Sequence, residues 1–371
     1  MGDLIRNTVE LTEACTGLKA GGIAALDTEF VWSRTYRPHL GIVQMADAAG
    51  VCRALDCLKG TDTTPFADII ADPSVVKILH DARQDLELIH HYTGACPRNV
   101  FDTQLAAGFC DFPCNLGLQK LLMEVLDIGL AKTETLTDWC QRPLTDAQIS
   151  YALDDVRHLA DLRTALLEKC DALGTRAWFE EESLRYENPD GYGEADPQDA
   201  WKRIRGGAKH LERPALALLR ALAAVREERA RDMNLPRTWL SDDASLVDLA
   251  AQGPAPAFRL RFRHRLKSGG QRDALAAAYA TAMSAAAALP ESDWPEPVFP
   301  RYIREVLDAA DKAADFLRDR GAELHVDPVL IANRATLTAY IDNPDALGNP
   351  LSEGWRYEAA GREIAERFYV P

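Results

Sequence analysis

Residues 23–30 have the sequence Ile-Ala-Ala-Leu-Asp-Thr-Glu-Phe, in which an apolar run is followed by two acids separated by one residue. Gly21-Gly22 precede the stretch, and its apolar residues predict a β-strand. Side chains alternate between the two faces of a strand, so Asp27 and Glu29 project from the same face. Unpaired carboxylates in a core strand are costly. Either a divalent cation lies between them or the strand end is open to water, and this pair alone leaves both interpretations open.

In the first 110 residues, short β-branched runs alternate with helical stretches, which predicts an α/β layer fold. The pattern of the remaining residues predicts helices. Further strands are expected at 40–46, 51–55, 75–79 and 99–101. A capping box at Thr145-Asp-Ala-Gln148 predicts the start of a helix just after Pro143. The stretch 187–197 is rich in residues that break helices and strands, and it indicates a domain boundary.

The helical part contains a weak repeat at an offset of 91 residues, in which 229–250 align with 320–341. Each copy has a helix, a turn and a helix with an N-cap. The cap is Ser241 or Asp242 in the first copy and Asn333 in the second. A Pro-rich linker at 289–300 joins the two copies. We therefore predict three domains, at residues 1–190, 197–288 and 292–371.

Composition and charge limit the classes of function. The net charge of −15 argues against indiscriminate coating of nucleic acid, because phosphate binding needs concentrated positive charge. No apolar run approaches the roughly 20 residues that span a bilayer, and the start has no signal-peptide pattern. We therefore expect a cytoplasmic protein that does not bind membranes. The eight cysteines include no CxxC pair, which indicates buried thiols in a reducing compartment rather than a zinc site.

Positive charge is concentrated in the helical part of the chain. Nine Lys or Arg residues and three Glu lie between residues 201 and 231, and six more bases with one acid lie between 258 and 273. Such runs are either a solvated helix face or a surface that contacts phosphates. The candidate phosphate contacts are Lys202, Arg203, Arg205, Arg259, Arg261, Arg263 and Arg265. The last four alternate along the chain, which predicts an extended segment with one basic face.

A third candidate acid lies in a helix that is predicted at 82–91. Asp85 is one turn into this helix, where a functional group often lies above the end of a strand. Asp81 competes with it, although Gln84 three residues later suits Asp81 to be the helix N-cap. Asp102 begins another predicted helix, where an Asp is most often a cap or a structural hydrogen-bonding group.

Tyr151 and Asp155 complete the candidate site. They are four residues apart in the helix that follows the capping box, so they share a face, whereas Asp154 points about 100° away. The full set is DxE on a strand, one Asp on a later helix and YxxxD on a third element. Each motif alone is weak, but the three in this order within about 130 residues are specific.

These motifs resemble those of the tyrosine branch of the DEDD exonuclease superfamily and, within it, of ribonuclease D. The matching stretches are 26–30 (LDTEF), 34–44 (RTYRPHLGIVQ), 79–87 (LHDARQDLE), 101–109 (FDTQLAAGF) and 137–156 (TDWCQRPLTDAQISYALDDV). Ser150 stands where the histidine branch carries its His. The resemblance is strong to about residue 170 and weaker afterwards, where the helical repeats resemble helicase-and-RNase-D C-terminal (HRDC) domains.

The resemblance implies an α/β ribonuclease H-like nuclease domain, with a mixed sheet flanked by helices, followed by two all-α HRDC-like domains. It implies a 3′-to-5′ exoribonuclease that uses two divalent cations, Mg²⁺ or Mn²⁺, and it favours Asp85 over Asp81 as a ligand. Asp27 would bridge both ions, and Glu29 and Asp155 would complete the water-activating site. Asp85 would serve the leaving-group site, and Tyr151 would orient the water.

The resemblance also implies that transfer-RNA precursors are the substrate and 5′-mononucleotides the product. We expect a monomer with no obligate protein partner. Thr28, Phe30 and His80 are candidate substrate contacts, although Phe30 can equally be core and His80 is more typical of a satisfied core histidine. Two alternatives are a DNA 3′-to-5′ exonuclease and an inactive RNA-binding protein. The helical modules favour RNA, and the presence of all five catalytic side chains favours an enzyme.

Overall fold

The structure is a computed structural model of the chain. It describes residues 3–32, 34–130, 137–204, 206–253, 269–297 and 301–371. Its contacts divide the chain into two compact units. The first unit comprises Met1–Val31, Leu40–Tyr192 and Tyr302–Pro371, and the second comprises Trp32–His39 and Gly193–Arg301. Most of the third predicted domain thus belongs to the same unit as the predicted nuclease domain, and the three-domain division stays a prediction.

Within the described ranges, six strands form one sheet. They are β1 (Leu4–Ile5), β2 (Ile23–Val31), β3 (His39–Ala46), β4 (Cys52–Asp56), β5 (Val76–Leu79) and β6 (Val100–Asp102). The strand order is β1-β4-β3-β2-β5-β6. Strands β3 and β4 are antiparallel, whereas the pairs β1–β4, β2–β5 and β5–β6 are parallel. The predicted mixed sheet is confirmed, and β2 lies in its interior.

The helices follow the expected alternation with strands and then dominate the chain. They are α1 (Thr8–Gly21), α2 (Thr64–Ala71), α3 (Ala82–Thr93), α4 (Thr103–Ala107), α5 (Leu118–Leu126), α6 (Asp146–Arg157), α7 (Leu159–Leu173), α8 (Arg176–Ser183), α9 (Arg213–Asp232), α10 (Arg237–Leu240), α11 (Asp243–Gln252), α12 (Gly269–Ala287), α13 (Arg304–Leu324), α14 (Pro328–Ile331), α15 (Arg334–Asp342), α16 (Gly354–Arg356) and α17 (Arg362–Phe368). None of these described helices has the length and apolar composition that a membrane span requires.

The sheet and the surrounding helices enclose the main core of the first unit. Leu26 of β2 and Ile78 of β5 are buried in it together with Leu166 of α7. The C-terminal helices contribute to the same core through Leu337 and Trp355. Helices α13 to α17 are therefore a structural part of this unit.

Trp355 shows how closely the C-terminal helices belong to this core. Its ring lies edge-on to Phe109, with centroids 5.1 Å apart, and it stacks on Trp178 at 5.9 Å. Its indole N–H donates to the buried carboxylate of Glu182 at 2.9 Å. Arg356 pairs with the same carboxylate at 2.5 Å, so the charge of Glu182 is compensated where it is buried.

The second unit has a separate core that is built around α9. Leu219 and Leu222 of α9 pack with Trp201 and Tyr279. Glu227 of α9 is also buried and accepts hydrogen bonds from the Tyr36 hydroxyl at 2.5 Å and from two nitrogens of Arg237 at 2.5 and 2.7 Å. This bidentate pairing keeps the pKa of Glu227 low, at about 2.

The helical repeat that the sequence indicates is present in the structure. Three consecutive helices begin at Arg213, Arg237 and Asp243 in the first copy, and at Arg304, Pro328 and Arg334, 91 positions later in each case, in the second. The side chains of Asp242 and Asn333 cap the third helix of each copy. From the sequence, either Ser241 or Asp242 could cap the third helix of the first copy, and the structure shows that Asp242 does so.

Candidate active site

Strand β2 brings two of the predicted acids to the interior of the sheet. Its first half is buried through Ala24, Ala25 and Leu26, and Asp27 and Glu29 follow as half-buried residues. Asp27 accepts a hydrogen bond from the amide of Gln44 on the neighbouring strand β3, at 3.4 Å. The apolar half of β2 thus anchors the strand, and its acidic half leaves the core at one face.

Helix α6 brings Asp155 to these two acids. Its capping box is formed as predicted, because Thr145 accepts from the N–H of Gln148 and the Gln148 side chain accepts from the N–H of Thr145. The helix packs against β2 and β4 through its buried face. One carboxylate oxygen from each of Asp27, Glu29 and Asp155 lies within 4.8 Å of the others. The structure therefore brings together three of the four predicted ligands.

Asp85 of α3 lies beside this group but is not a member of it. Its carboxylate is almost fully buried, and its Oδ1 accepts a hydrogen bond from the Thr28 hydroxyl. Thr28 is a candidate substrate contact in the sequence, yet its side chain is buried and directed at Asp85. Asp81, the competing acid, has no part in the cluster of three.

The prediction that Asp81 is the N-cap of α3 is confirmed for its position but not for a capping side chain. Asp81 does occupy the N-cap position, but its φ of 60° is left-handed and its side chain makes no capping hydrogen bond. Asp102 performs this role from the end of β6. Its carboxylate accepts from the backbone N–H groups of Asp81 and Ala82 at 3.0 and 3.1 Å.

Electrostatics mark the acidic group as a site for positive charge. Burial and then the charges of Asp85, Asp155 and Glu29 raise the pKa of Asp27 well above its ordinary value. Burial, followed by the charges of Asp155 and Asp85, raises the pKa of Glu29 to about 8. Burial is also the main reason that the pKa of Asp85 rises to about 7 and that of Asp155 to about 6.

These shifts mean that the carboxylates repel one another and lack full solvation. A bound cation would remove both penalties. Carboxylate oxygens are hard ligands, which suits Mg²⁺ and Mn²⁺. The donor set and its spacing therefore fit the divalent ions that the sequence predicted.

Tyr151 lies on the same helix as Asp155, and its ring is held by Trp139. The two rings stack with centroids 6.4 Å apart. The loop that carries Trp139 is fixed by Arg142, whose guanidinium pairs with the fully buried Asp56 at 2.7 Å and donates to the carbonyl of Trp139 at 2.8 Å. Residues 137–143 thus position the tyrosine.

The remaining candidate contacts have mixed placements. Phe30 is half-buried at the end of β2. His80 is partly buried, with Nδ1 2.9 Å from the Thr103 hydroxyl, and burial lowers its pKa. The other ring nitrogen, Nε2, is buried without a hydrogen-bond partner among the described residues, so the interpretation of His80 as a satisfied core histidine holds for Nδ1 only.

The predicted phosphate contacts are only partly described. Lys202 pairs with Asp199 at 2.6 Å, and Arg203 pairs with Glu227 at 3.2 Å. Both bases therefore have acidic neighbours within the second unit. Outside the described residues lie Arg205, Arg259, Arg261, Arg263 and Arg265.

Sequence reasoning missed two contacts at the site. The hydrogen bond from Gln44 to Asp27 was not predicted, although Gln44 ends one of the matched stretches. The hydrogen bond from Thr28 to Asp85 was not predicted either. Both contacts join residues that are distant in the sequence, so no local pattern could indicate them.

Comparisons with known proteins agree with this geometry. A family model described as 3′-5′ exonuclease matches residues 3–171. Ribonuclease D of Pseudomonas paraeruginosa is 36% identical over 369 residues, which cover 97% of this chain and 96% of that protein. Ribonuclease D of Desulfotalea psychrophila is 39% identical over 252 residues, covering 68% of this chain and 67% of that protein.

One solved structure is similar to this chain over nearly its whole length. It is that of Escherichia coli RNase D, described as an exoribonuclease involved in structured RNA processing. The two structures superpose with a TM-score of 0.82 at 28% sequence identity, over 98% of this chain and 97% of the other.

Proposed function

This chain belongs to the ribonuclease D family and is a 3′-to-5′ exoribonuclease, and we propose that it hydrolyses RNA with two divalent cations held by four carboxylates. The proposed ligands are Asp27, Glu29, Asp85 and Asp155. The observation that carries the proposal is the group of three carboxylates within 4.8 Å, contributed by β2 and α6. A fourth carboxylate, that of Asp85, is close enough to raise the pKa values of Asp27 and Glu29.

Each of the four acids has a distinct proposed role. Two bound divalent ions supply an activated water and neutralise the charge that develops on the phosphate and the leaving oxygen. Asp27 would contact both ions, as the resemblance to the DEDD exonucleases implies, and it lies within 4.8 Å of Glu29 and Asp155. Glu29 and Asp155 would complete the water-activating site with Asp27, and Asp85 would serve the leaving-group site.

Tyr151 is proposed to orient the attacking water through its hydroxyl. An unperturbed phenol has a pKa near 10, so it is a poor base at neutral pH. Its ring is fixed by Trp139, which limits the positions that the hydroxyl can take. A fixed hydroxyl can hold a water by one hydrogen bond without accepting its proton.

The proposed substrates are transfer-RNA precursors and other structured RNAs. The enzyme would shorten their 3′ ends and release 5′-mononucleotides. Two observations support this substrate class. The Escherichia coli relative is described as processing structured RNA. The chain also carries the repeated three-helix arrangement, for which we propose the HRDC assignment. We propose that Mg²⁺ or Mn²⁺ is the ion and that the protein acts in the cytoplasm as a monomer.

The alternating arginines are proposed to extend RNA binding beyond the catalytic site. Structured RNA presents phosphates to protein surfaces outside the few nucleotides that a nuclease pocket holds. Lys202 and Arg203 have acidic partners, which weakens the case for them. Replacing Arg259, Arg261, Arg263 and Arg265 by Ala should lower the log-log slope of binding against salt by about 0.9 for each phosphate that the segment no longer neutralises. An unchanged slope would contradict phosphate binding by this segment.

A substrate panel tests the proposed function. The panel contains a transfer-RNA precursor with a 3′ extension, the same RNA ending in a 3′-phosphate, and single-stranded DNA of the extension sequence. We expect stepwise removal of the extension from the first, little cleavage of the blocked RNA and slow cleavage of the DNA. Faster cleavage of the DNA than of the RNA would favour the DNA exonuclease alternative. Cleavage of the blocked RNA at the unblocked rate would contradict recognition of a free 3′ end.

A further inference from the structure

Asp102 is a buried acid with an unusual number of hydrogen bonds. Its side chain is 3% exposed and accepts from five donors. Four donors are backbone N–H groups, and the fifth is a phenol. They are the N–H groups of Asp81 (3.0 Å), Ala82 (3.1 Å), Gln104 (2.9 Å) and Leu105 (3.4 Å) and the hydroxyl of Tyr186 (2.6 Å).

One carboxylate therefore caps two helices. Asp102 is the N-cap of α4, as the sequence predicted, and its bonds to Asp81 and Ala82 also cap α3. The first N–H groups of a helix have no partner within the helix and need an acceptor from outside. Helix α3 lacks one at its own N-cap, because the Asp81 side chain makes no capping bond.

The capped turn of α3 carries Asp85. Ala82 is the first residue of α3, and Asp85 follows three residues later, so a rigid helix joins the Asp102 cap to the Asp85 carboxylate. That carboxylate is held from its other side by the Thr28 hydroxyl of β2. Asp85 is thus fixed at two points, and Asp102 provides the one that sets the position of the helix.

Tyr186 fixes Asp102 in turn. Its ring is buried, its hydroxyl donates to Oδ2 of Asp102, and Tyr192 donates to its carbonyl at 2.6 Å. Both tyrosines lie in the first unit, after α8. Oδ2 also accepts the hydrogen bond from the N–H of Ala82. A change at Tyr186 therefore acts on α3 through one named atom.

We propose that Asp102 is a positioning residue, which sets the place of Asp85 at the metal site by capping α3 from the neighbouring strand. The inference rests on the proposed ligand role of Asp85. In Asp102→Asn one oxygen becomes an NH₂ group. If the NH₂ replaces Oδ2, it faces two other donors, the Ala82 N–H and the Tyr186 hydroxyl. If it replaces Oδ1, it faces the three backbone N–H donors that Oδ1 now accepts. Loss of a group that orients a metal ligand typically weakens metal affinity about 10- to 100-fold.

The test measures metal binding on the full chain without relying on turnover. Binding of Mn²⁺ is followed by electron paramagnetic resonance, in the presence of a phosphorothioate RNA that resists cleavage. The variants are Asp102→Asn, Tyr186→Phe, Asp85→Asn and Thr175→Val. Thr175 is the matched control, because its buried hydroxyl donates to the Phe109 carbonyl at 2.6 Å and does not contact α3. Thermal melting of each variant is recorded in parallel.

We expect two classes of Mn²⁺ site in the unsubstituted chain. Asp102→Asn should weaken the site that depends on Asp85 about 10-fold and leave the other unchanged. Tyr186→Phe should act in the same direction by a smaller factor, and Thr175→Val should change neither site. Tyr186→Phe keeps the test decisive if Asp102→Asn does not fold.

Other outcomes separate the inference from the proposed function. If Asp102→Asn and Tyr186→Phe melt earlier but bind both ions with normal affinity, Asp102 is a structural cap only and the inference is overturned. If Asp85→Asn itself binds both ions normally, the ligand role of Asp85 fails and the inference falls with it. If Asp85→Asn loses one site while Asp102→Asn does not, the inference alone is wrong.

Discussion

The ring of Tyr151 stacks against that of Trp139, with centroids 6.4 Å apart and planes inclined by 22°. Trp139 is buried, and its backbone lies so close to Gly41 that a Cβ there would be 2.5 Å from the Trp139 carbonyl oxygen. Packing therefore fixes the tyrosine ring independently of its hydroxyl. A phenylalanine can keep this stacking, so its effect isolates the oxygen atom.

Tyr151→Phe should lower the single-turnover cleavage rate about 10- to 100-fold, because it removes a hydroxyl that positions the attacking water. The Mg²⁺ concentration that gives half-maximal rate should stay within about twofold of normal. Rapid-quench kinetics over a metal titration measure both quantities. A large rise in the half-maximal Mg²⁺ concentration, with little loss of maximal rate, would show instead that Tyr151 supports the metal site.

Asp155→Asn should lower turnover by at least about 1,000-fold while the protein stays folded, because it removes a ligand from the group of three carboxylates. Asp154→Asn is the matched control. Asp154 lies one residue earlier in α6, its side chain is 43% exposed, and it pairs with Arg157 at 3.0 Å, so this variant should keep most of its activity. Steady-state assays with circular dichroism as the folding check measure the difference. An inactive, folded Asp154→Asn would contradict the assignment.

The metal-free protein should become less stable as the pH rises from about 5 to 8. Glu29 has a folded-state pKa of about 8, above its ordinary value, so between these values the folded chain binds more protons than the unfolded chain. Stability then falls as pH rises, by an amount on the order of 1–2 kcal/mol. Glu29→Gln should reduce this dependence, and the raised pKa values of Asp27, Asp85 and Asp155 should preserve part of it. Mg²⁺ binds the deprotonated carboxylates, so its addition should stabilise the protein more at pH 8 than at pH 5 and oppose the fall.

Thermal melting in a chelator, from pH 5 to 8, measures this effect. Glu10→Gln is a suitable control, since Glu10 lies on the exposed face of α1 and its side chain accepts from the Arg6 N–H. Its melting curve should follow that of the unsubstituted chain at each pH. A melting temperature that rises between pH 5 and 8, unaffected by Glu29→Gln, would contradict the raised pKa.

Trp355→Ala should destabilise the first unit by about 3–5 kcal/mol, because it removes a large buried side chain from the core. Tyr369→Ala removes an exposed aromatic ring near the same terminus and should cost less than about 0.5 kcal/mol. Chemical denaturation measures both. Equal, small effects would show that the C-terminal helices are not part of this core.

The same core changes the expected result of truncation. If the three predicted domains were independent, removal of everything after about residue 190 would spare the cleavage of short RNA. Because α13 to α17 share the core of the first unit, such a truncation should instead yield an unstable protein that loses activity on short and structured RNA alike.

The local part of the fold was predictable because it depends on neighbouring residues. The strands at β2 to β6 agree with the predicted ranges to within two residues, and the Thr145 capping box is formed. The two-residue strand β1 and helix α1 were not predicted. Two residues are too few to show alternation.

The site was predictable as a set of residue types but less so as an arrangement. The spacing of Asp27 and Glu29 places them on one face of a strand, as expected from alternation. The capping of α3 by Asp102, in addition to its own helix α4, depends on β6 lying beside β5, a long-range pairing that no local pattern encodes. The placement of α13 to α17 within the first unit depends likewise on tertiary packing, so the repeat alone could not indicate it.

The most direct test of the central claim is an anomalous difference map from crystals of the full chain grown with Mn²⁺ and a cleavage-resistant RNA. We predict two Mn²⁺ peaks about 4 Å apart, one bound by Asp27, Glu29 and Asp155 and the other by Asp27 and Asp85. The scissile phosphate of the 3′-terminal nucleotide should contact both. The absence of Mn²⁺ at these carboxylates, with RNA bound and Mn²⁺ in excess, would contradict the claim that they form the catalytic metal site.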